Sequence, residues 1–534
     1  MTRRIRPMRK LGLGLLAAAC LAGAALPASA FERVGDRKVI VFGGRQQVPV
    51  LDPHVRYDWS TRMLQQAVYD ALVKYEGNPA EVKPWLAESW ETSPDGTVWT
   101  FHLTGTAKFH SGNPVDAEAV RYSFVRGLKL NKGVAWMLKD FLAPEGIEAV
   151  DARTVRFTLK KPYAAFLSFL PWWYVVDPKQ VEAHAVDGDD GQKWLTDHEA
   201  GSGPFTIKRW EPNVLHELAA LPDYWKGWPQ GEAHRPAGVI YRIVREPAAQ
   251  KASLLRGESD IVEGLTPDDY VQVARQKGVA IEDHAGMTTF GIKMNNKVGP
   301  TADPNLRKAI AYALDYDGLV QIYNGAARLQ TSVFPAGMKG HIDVPGMPRR
   351  DLTKAKDYLA KSAYPNGGIT LEYYHIAGLE EARRIGLLLL DNLAALNIKV
   401  DMRPEQWPNM VAKGSKPETS PNLTSVFVTP ISTDPDAVAY QYHPNSWGQY
   451  FAMSFYDNPE VARMIDEARS TPDWDTRAPL YAEIQKRIVA DQPEVFGMVQ
   501  NRRWARRDVL KGFSFSPVRF TGEVDLYPLW IDAK

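Results

Sequence analysis

The period of apolar and polar positions changes repeatedly along the chain, and each change predicts an element. Lys38–Phe42 is a β-branched run that reads as a buried first strand. A helix is expected across Met63–Lys74. Trp99, Phe101 and Leu103 alternate with Thr100 and His102, the period of a half-buried strand. Before them, Pro94-Asp95-Gly96 supplies turn chemistry, so Trp85, Leu86 and Trp90 belong to the other arm of a hairpin. A second turn at Ser111-Gly112-Asn113-Pro114 leads to Asp116, which can cap a helix carrying Ala117, Val120, Phe124 and Leu128 at helical spacing. Val155, Phe157 and Leu159 alternate as a strand, and so does Thr288–Met294. Asp303-Pro304 opens a helix, with the acid as cap and proline in the first turn. A further helix runs from about Leu379 to Leu396. Asn397 stands at its end, where left-handed geometry is common, and Ile398–Met402 follows as a strand. Ser454–Gln500 reads as helices. No internal repeat, low-complexity tract or unstructured linker is visible.

Several of these stretches carry particular residues as well as a period. The first is Leu86-Ala87-Glu88-Ser89-Trp90, Asp95-Gly96, Trp99-Thr100-Phe101, Phe109-His110, Gly112, Pro114-Val115, Ala117-Glu118, Val120, Ser123 and Arg126. The second is Gly201-Ser202-Gly203-Pro204-Phe205, followed by Trp210-Glu211-Pro212 and Pro222-Asp223-Tyr224-Trp225. Its glycines suit a chain crossing between domains, and no Gly-Lys-Ser/Thr follows to make a phosphate loop. Others are Leu51-Asp52-Pro53, Tyr69-Asp70-Ala71-Leu72-Val73, the run Leu306–Asp315, and Asp457–Glu460 with Asp466–Arg469, Arg477, Tyr481 and Gln485. In this order they resemble the family 5 extracellular solute-binding proteins, the dipeptide, oligopeptide and nickel receptors of bacterial ABC importers. Thr104, Ser111, Asp116, Ala119 and Tyr316 depart from the family pattern, and none of these changes removes a turn glycine or proline. The resemblance covers nearly all of Phe31–Lys534.

The resemblance implies an α/β fold, a periplasmic binding protein type II-like two-lobed fold with an extra small α+β domain (three-domain, cluster C type). The expected division is signal peptide 1–30, first lobe 31–66, small domain 67–199, first lobe again 200–286, second lobe 287–495 and first lobe 496–534. Ligand is expected between the lobes, enclosed by hinge closure.

Composition sharpens this. With 45% hydrophobic and 24% charged residues the chain can bury a core. Arg3, Arg4, Arg6, Arg9 and Lys10 precede an apolar run from Leu11 to Leu26, and Ala28-Ser29-Ala30 is a small-x-small site, so a signal peptide cleaved after Ala30 is expected. Two rival readings are disfavoured. Ala17 stands where a lipidation signal at Cys20 needs Leu or Val, and Pro7 follows too closely for Arg3-Arg4 to read as twin-arginine export. Cleavage leaves 59 basic against 63 acidic side chains, a net charge near −4, which speaks against nucleic acid and anionic membrane as partners. Cys20 is the only cysteine, so a chain from Phe31 has neither disulfide nor thiol chemistry.

Catalytic motifs are missing: no His-Glu-x-x-His, no Gly-x-Ser-x-Gly, no cysteine pair, no Gly-x-Gly-x-x-Gly. The 11 histidines lack metal-ligand spacing. No cofactor or metal is expected, although relatives that carry nickel or haem make His375 and His443 worth checking. Peptide-binding members hold the ligand's free amine with an acid a few positions before Asp-Pro. Here that position is Ile431, and a buried ammonium without a carboxylate is costly. Asp434 and Asp436 remain as substitutes. The same region is aromatic and polar, with Trp407 nearby, Trp172-Trp173 in the small domain and Trp59 near the start, which suits stacked sugars as well as peptide side chains. The expected ligand contacts are Trp59, Trp173, Trp407, Asp434, Asp436, Tyr440, His443, Trp447 and Tyr450. Arg383 or Arg384 could reach a ligand carboxylate. The cluster Arg502, Arg503, Arg506 and Arg507 could dock a permease, a solvated surface being the alternative. The sequence therefore reads as a non-catalytic, monomeric, periplasmic receptor for an ABC importer, with a di- or oligopeptide as ligand. An oligosaccharide or other polar metabolite is the alternative, and a secreted hydrolase a distant one.

Overall fold

The computed structural model describes residues 33–34, 37–57, 59–520 and 522–532. The expected signal peptide, its cleavage after Ala30, Cys20 and the start at Phe31 lie outside the described residues. A 12-stranded sheet spans the molecule. From one edge its strands are Ile398–Glu405, Ile369–Ile376, Leu423–Val428, Val279–Met294, Glu494–Arg507, Ile261–Val262, Arg37–Gly44, Gly238–Ile243, Leu215–Ala220 and Phe205–Glu211. Arg33–Val34 adds to Arg37–Gly44, and Ala327–Leu329 adds to Glu494–Arg507.

Two strands of this sheet are long, Val279–Met294 with 16 residues and Glu494–Arg507 with 14, and they pair antiparallel along their length. Val279–Ala285 faces Asn501–Arg507 on the side of Ile261–Val262, whereas Thr288–Lys293 faces Glu494–Gln500 on the side of Leu423–Val428. The ladder breaks between Ala285 and Thr288, a bulge that divides the sheet into two halves. Gly286 lies in the break, and a Cβ there would come within 2.6 Å of the Gln500 carbonyl oxygen. Each half has its own core. Ile40, Phe42, Leu64, Val68 and Tyr241 fill one, and Phe290, Ile310, Leu371, Leu389 and Val495 the other.

A separate antiparallel sheet orders Ala87–Thr92, Val98–Leu103, Thr154–Thr158 and Ile147–Asp151. The helix Ala117–Leu130 packs on it, capped by Asp116, whose carboxylate accepts from the Ala119 N–H. The expected hairpin is present, with Gly96 at φ 71° in its turn. Inside, Phe124 stacks on Trp173 at 4.8 Å and meets Phe157 edge-on.

Two expectations are corrected. The helix predicted at Met63–Lys74 runs Trp59–Val68 instead, and Val73–Glu76 is a strand. The chain leaves the helix because Asp70 is buried and fully used: it accepts from Trp85, Tyr224, Trp225 and Ser202. Ser454–Gln500 is not helical throughout. The helices Pro459–Ser470 and Trp474–Asp491 end where Gln492 turns left-handed (φ 49°) before Pro493, and the long strand begins at Glu494. Gly201 and Gly203 answer a close approach of two main chains. A Cβ at Gly201 would lie 1.8 Å from the Val68 carbonyl oxygen, and one at Gly203 would lie 2.7 Å from that of Ala67.

Candidate functional site

Rings from both halves of the large sheet and from the small sheet's body meet in one run. Trp407 opens the helix Trp407–Lys413 and touches Tyr450 edge-on at 5.5 Å. Tyr450 meets Phe451 at 5.3 Å, and Phe451 meets Trp136 at 5.9 Å. The Trp136 indole donates to Tyr57 Oη at 2.9 Å. Tyr57 stands edge-on to Trp172 at 6.0 Å, and Trp172 meets Phe520 at 5.3 Å. Trp172 and Phe451 are buried, whereas Tyr57, Trp136, Trp407, Tyr450 and Phe520 are half-buried residues. Half-buried rings with hydroxyl and indole edges suit flat or apolar groups that also carry hydrogen-bonding atoms.

One end of the run is fixed by charge. The Arg62 guanidinium lies 3.6 Å over the Trp172 ring and pairs with Glu523 at 2.5 Å. The Trp172 indole donates to the Ile431 carbonyl at 2.7 Å, so this ring ties the small sheet's body to the second half. Ile431 itself packs into the small sheet's core. At the bulge, Thr288 and Thr429 hydroxyls lie 2.9 Å apart, and Arg502 donates to Thr429 Oγ1 and to the Arg519 carbonyl. Burial pulls the Arg502 guanidinium down to about 9, with Glu523 opposing.

The residues singled out from sequence fall into three groups. Trp407 and Tyr450 belong to the ring run. Trp59 begins the helix Trp59–Val68, and its side chain lies outside the described residues. The rest sit elsewhere. Trp173 is fully buried in the small sheet's core. Both oxygens of Asp434 take the Arg477 guanidinium, at 2.8 and 3.0 Å. Asp436 is 2% exposed and accepts from Tyr163 Oη at 2.9 Å, with Arg469 3.0 Å away. Burial pushes the Asp436 carboxyl up while Arg469 pulls it back. Burial also works against the Arg469 charge, yet Asp436 holds that guanidinium above its ordinary value. The same guanidinium lies 4.0 Å over Tyr440, and Tyr440 stacks on His443, whose Nε2 faces Asp466. Trp447 packs edge-on to Phe455 and donates to the Tyr456 carbonyl. Asp434 and Asp436, expected as stand-ins for the missing acid at Ile431, are thus committed to arginines.

The arginines expected at ligand or permease have protein partners too. Arg383 and Arg384 pair with Glu380, and Arg384 also with Asp268. On the strand Glu494–Arg507, Arg503 pairs with Asp283, Arg506 with Glu282 and Arg507 with Asp260, while Arg502 points into the interior. The cluster is therefore a set of ion pairs largely withdrawn from solvent, and not the solvated surface given as the alternative. Among the described residues no group of three or more His, Cys, Asp and Glu could hold a metal ion. His375 is buried on its strand beside Tyr373.

Tyr57, Trp136 and Phe520 were missed from sequence, whereas the Trp172-Trp173 pair was visible there without a choice between its two rings being forced. Trp172 adjoins Trp173 in Leu170-Pro171-Trp172-Trp173, and alternation there could have offered either ring. The other three carry no local signal.

Known proteins agree with this architecture. The model of the bacterial extracellular solute-binding proteins, family 5 (middle region), matches residues 81–451. A probable D,D-dipeptide-binding periplasmic protein of Escherichia coli (strain K12) is 29% identical over 499 residues, covering 90% of this chain and 92% of its own. Heme-binding protein A of Haemophilus influenzae is 25% identical over 440 residues, 79% of each chain. Among solved structures, an ABC transporter-associated periplasmic binding protein of Helicobacter pylori in complex with the peptide STSA superposes with TM-score 0.82 at 23% identity, over 93% of this chain and 98% of that one. No described helix is long and apolar enough to cross a membrane. The chain belongs to the bacterial extracellular solute-binding proteins of family 5.

Proposed function

We propose that this protein is the periplasmic receptor of an ABC importer, a binding protein and not an enzyme, and that it encloses a peptide between the two halves of the large sheet. The first lobe comprises 31–66, 200–286 and 496–534, the small domain 67–199 and the second lobe 287–495. The leader is cleaved after Ala30, and the receptor works as a monomer that docks on the permease when closed. The observation that carries this reading is the ring run, because all three bodies contribute to it and separation of the lobes takes it apart. Tyr57, Trp136, Trp407, Tyr450 and Phe520 offer ring surface to the ligand, with Trp59 beside them in sequence. Contacts between the small domain and the second lobe then serve closure: Tyr163 to Asp436, the Ala164 N–H to the Arg469 carbonyl, and Trp172 to Ile431. Relatives named for dipeptides and for a bound peptide support the ligand class.

A second reading, an oligosaccharide or other polar metabolite, is favoured by Ile431 and by the arginines that occupy Asp434 and Asp436. A structural neighbour in complex with agropinic acid keeps that class in view. The test is a thermal-shift screen of the chain from Phe31 with di- to pentapeptides in one set and oligosaccharides in the other. A ligand at 100 times its Kd stabilises by about 2.7 kcal/mol. A shift with peptides alone supports the first reading. A shift with sugars alone overturns it in favour of the second, and peptide hydrolysis by the pure protein overturns both.

A further inference from the structure

Asp268 ties the two halves of the large sheet together at a point that shares no residue with the ring run. It lies in the first turn of the helix Pro267–Val273, which packs Tyr270 and Val273 against Val262 and Ala505 of one half. Its carboxylate oxygens reach the other half. Oδ1 accepts from Asn324 Nδ2 at 2.7 Å, and Oδ2 accepts from Arg384 Nη2 at 3.2 Å. Asn324 follows the helix Tyr316–Gln321, and Arg384 belongs to the helix Glu380–Ala394. Both helices enter the second half's core, through Leu319 and through Ile385 and Leu389.

The backbone presents Asn324 for this contact. Asn324 is left-handed at φ 46° and Gly325 follows at φ 83°, a turn that asparagine and glycine adopt at the least steric cost. The Asn501 N–H donates to the Ala326 carbonyl at 2.8 Å and pins the turn to the long strand Glu494–Arg507. The contact is also built to release. Arg384 has a second partner in Glu380, one turn back on its own helix at 3.1 Å. The Asp268 side chain is 54% exposed and that of Arg384 37%, so water replaces either partner. An exposed pair of this kind contributes little, enough to bias an equilibrium and too little to lock it.

We propose that Asp268, Asn324 and Arg384 form a reversible clasp between the lobes, which sets the closed fraction of the receptor without touching ligand. This rests on the two-lobe receptor reading above. Apparent affinity scales with the fraction of molecules in the binding-competent state, so the clasp tunes the binding of every ligand by the same factor. It is also the salt-sensitive part of closure. Its charges are exposed and screened by ions, whereas the contacts of Tyr163 with Asp436 and of Trp172 with Ile431 are buried.

Distances between two nitroxide labels test this by pulsed electron spin resonance, with and without a mixture of di- to pentapeptides. The chain from Phe31 has no cysteine, so labels at Val271→Cys and Leu387→Cys report on the lobes alone. Val271 is 41% exposed and Leu387 45%, each one helical turn beyond its clasp residue. In this background Asn324→Asp keeps the tolerance for left-handed backbone and sets a second carboxylate against Asp268. The ratio of short to long distances is expected to fall about two- to five-fold. Raising NaCl to about 1 M should lower it in the labelled parent as well. Adding Asp268→Asn to Asn324→Asp remakes the hydrogen bond with its polarity exchanged and should raise the ratio again. A double variant no more closed than Asn324→Asp alone overturns the clasp, and so do distances that Asn324→Asp leaves unchanged. If peptides still shorten the distances in the labelled parent, the receptor reading stands without the clasp. If no condition alters them, lobe closure falls with it.

Discussion

The ring run and the neighbouring segment Asp434–Trp447 have similar compositions but different structures. Both hold tyrosine, tryptophan and polar side chains. In Asp434–Trp447 the acids and the indole have protein partners: Arg477 for Asp434, Arg469 and Tyr163 for Asp436, the Tyr456 carbonyl for Trp447. In the ring run the hydrogen bonds are few and most of the residues stay half-buried. Residue type proposes a contact, and the partner already in place decides whether anything is left for a ligand. Removal of an arginine should accordingly cost stability, and removal of a half-buried ring should cost affinity.

The largest effect is expected from Arg469→Ala. It strands Asp436 in the interior and strips the cation from Tyr440, at a cost of about 3–5 kcal/mol read by urea unfolding. A variant as stable as the parent would erase the distinction between the two regions. Asp434→Asn is next. It weakens the pairing with Arg477 and should cost about 2 kcal/mol of stability while leaving the Kd within two-fold. If calorimetry shows the reverse, with affinity lost and melting unchanged, Asp434 is a ligand group after all. Two tryptophans sharpen the contrast. Trp407→Ala should weaken ligand binding roughly ten-fold, whereas Trp447→Ala should alter it by less than about two-fold. Equal losses would merge the two regions into one site. The smallest effect belongs to Tyr163→Phe. It keeps the stack on Phe141 at 3.8 Å but removes the hydroxyl that reaches Asp436. The loss of about 1 kcal/mol should appear as a few-fold weaker Kd, with a more open ligand-free particle in small-angle scattering.

What the sequence made legible was local. Asp116 and Asp303 cap the helices expected of them, Gly96 takes positive φ in the expected hairpin, and Asn397 is left-handed at φ 55°. Each depends on neighbours within a few positions, and the family followed from such features in order. The errors have distant causes. Asp70 draws donors from positions 85, 202, 224 and 225, and these pull the chain out of a helix that the pattern alone would extend. Arg503 and Arg506 look like a solvated basic face until Asp283 and Glu282 arrive on the adjacent strand. Tyr57, Trp136 and Phe520 lie far apart in the chain and become a site only through the fold.

The paired long strands act mechanically as an axle. Both pass from one half to the other, so the halves share one hydrogen-bonded ladder about which a twist would keep its bonds. The bulge at Gly286 is the soft length of that axle, and the Thr288, Thr429 and Arg502 contacts sit on it like a brake pad. Torsional stiffness, and with it the speed of opening, is then set by a few residues that no ligand needs to touch.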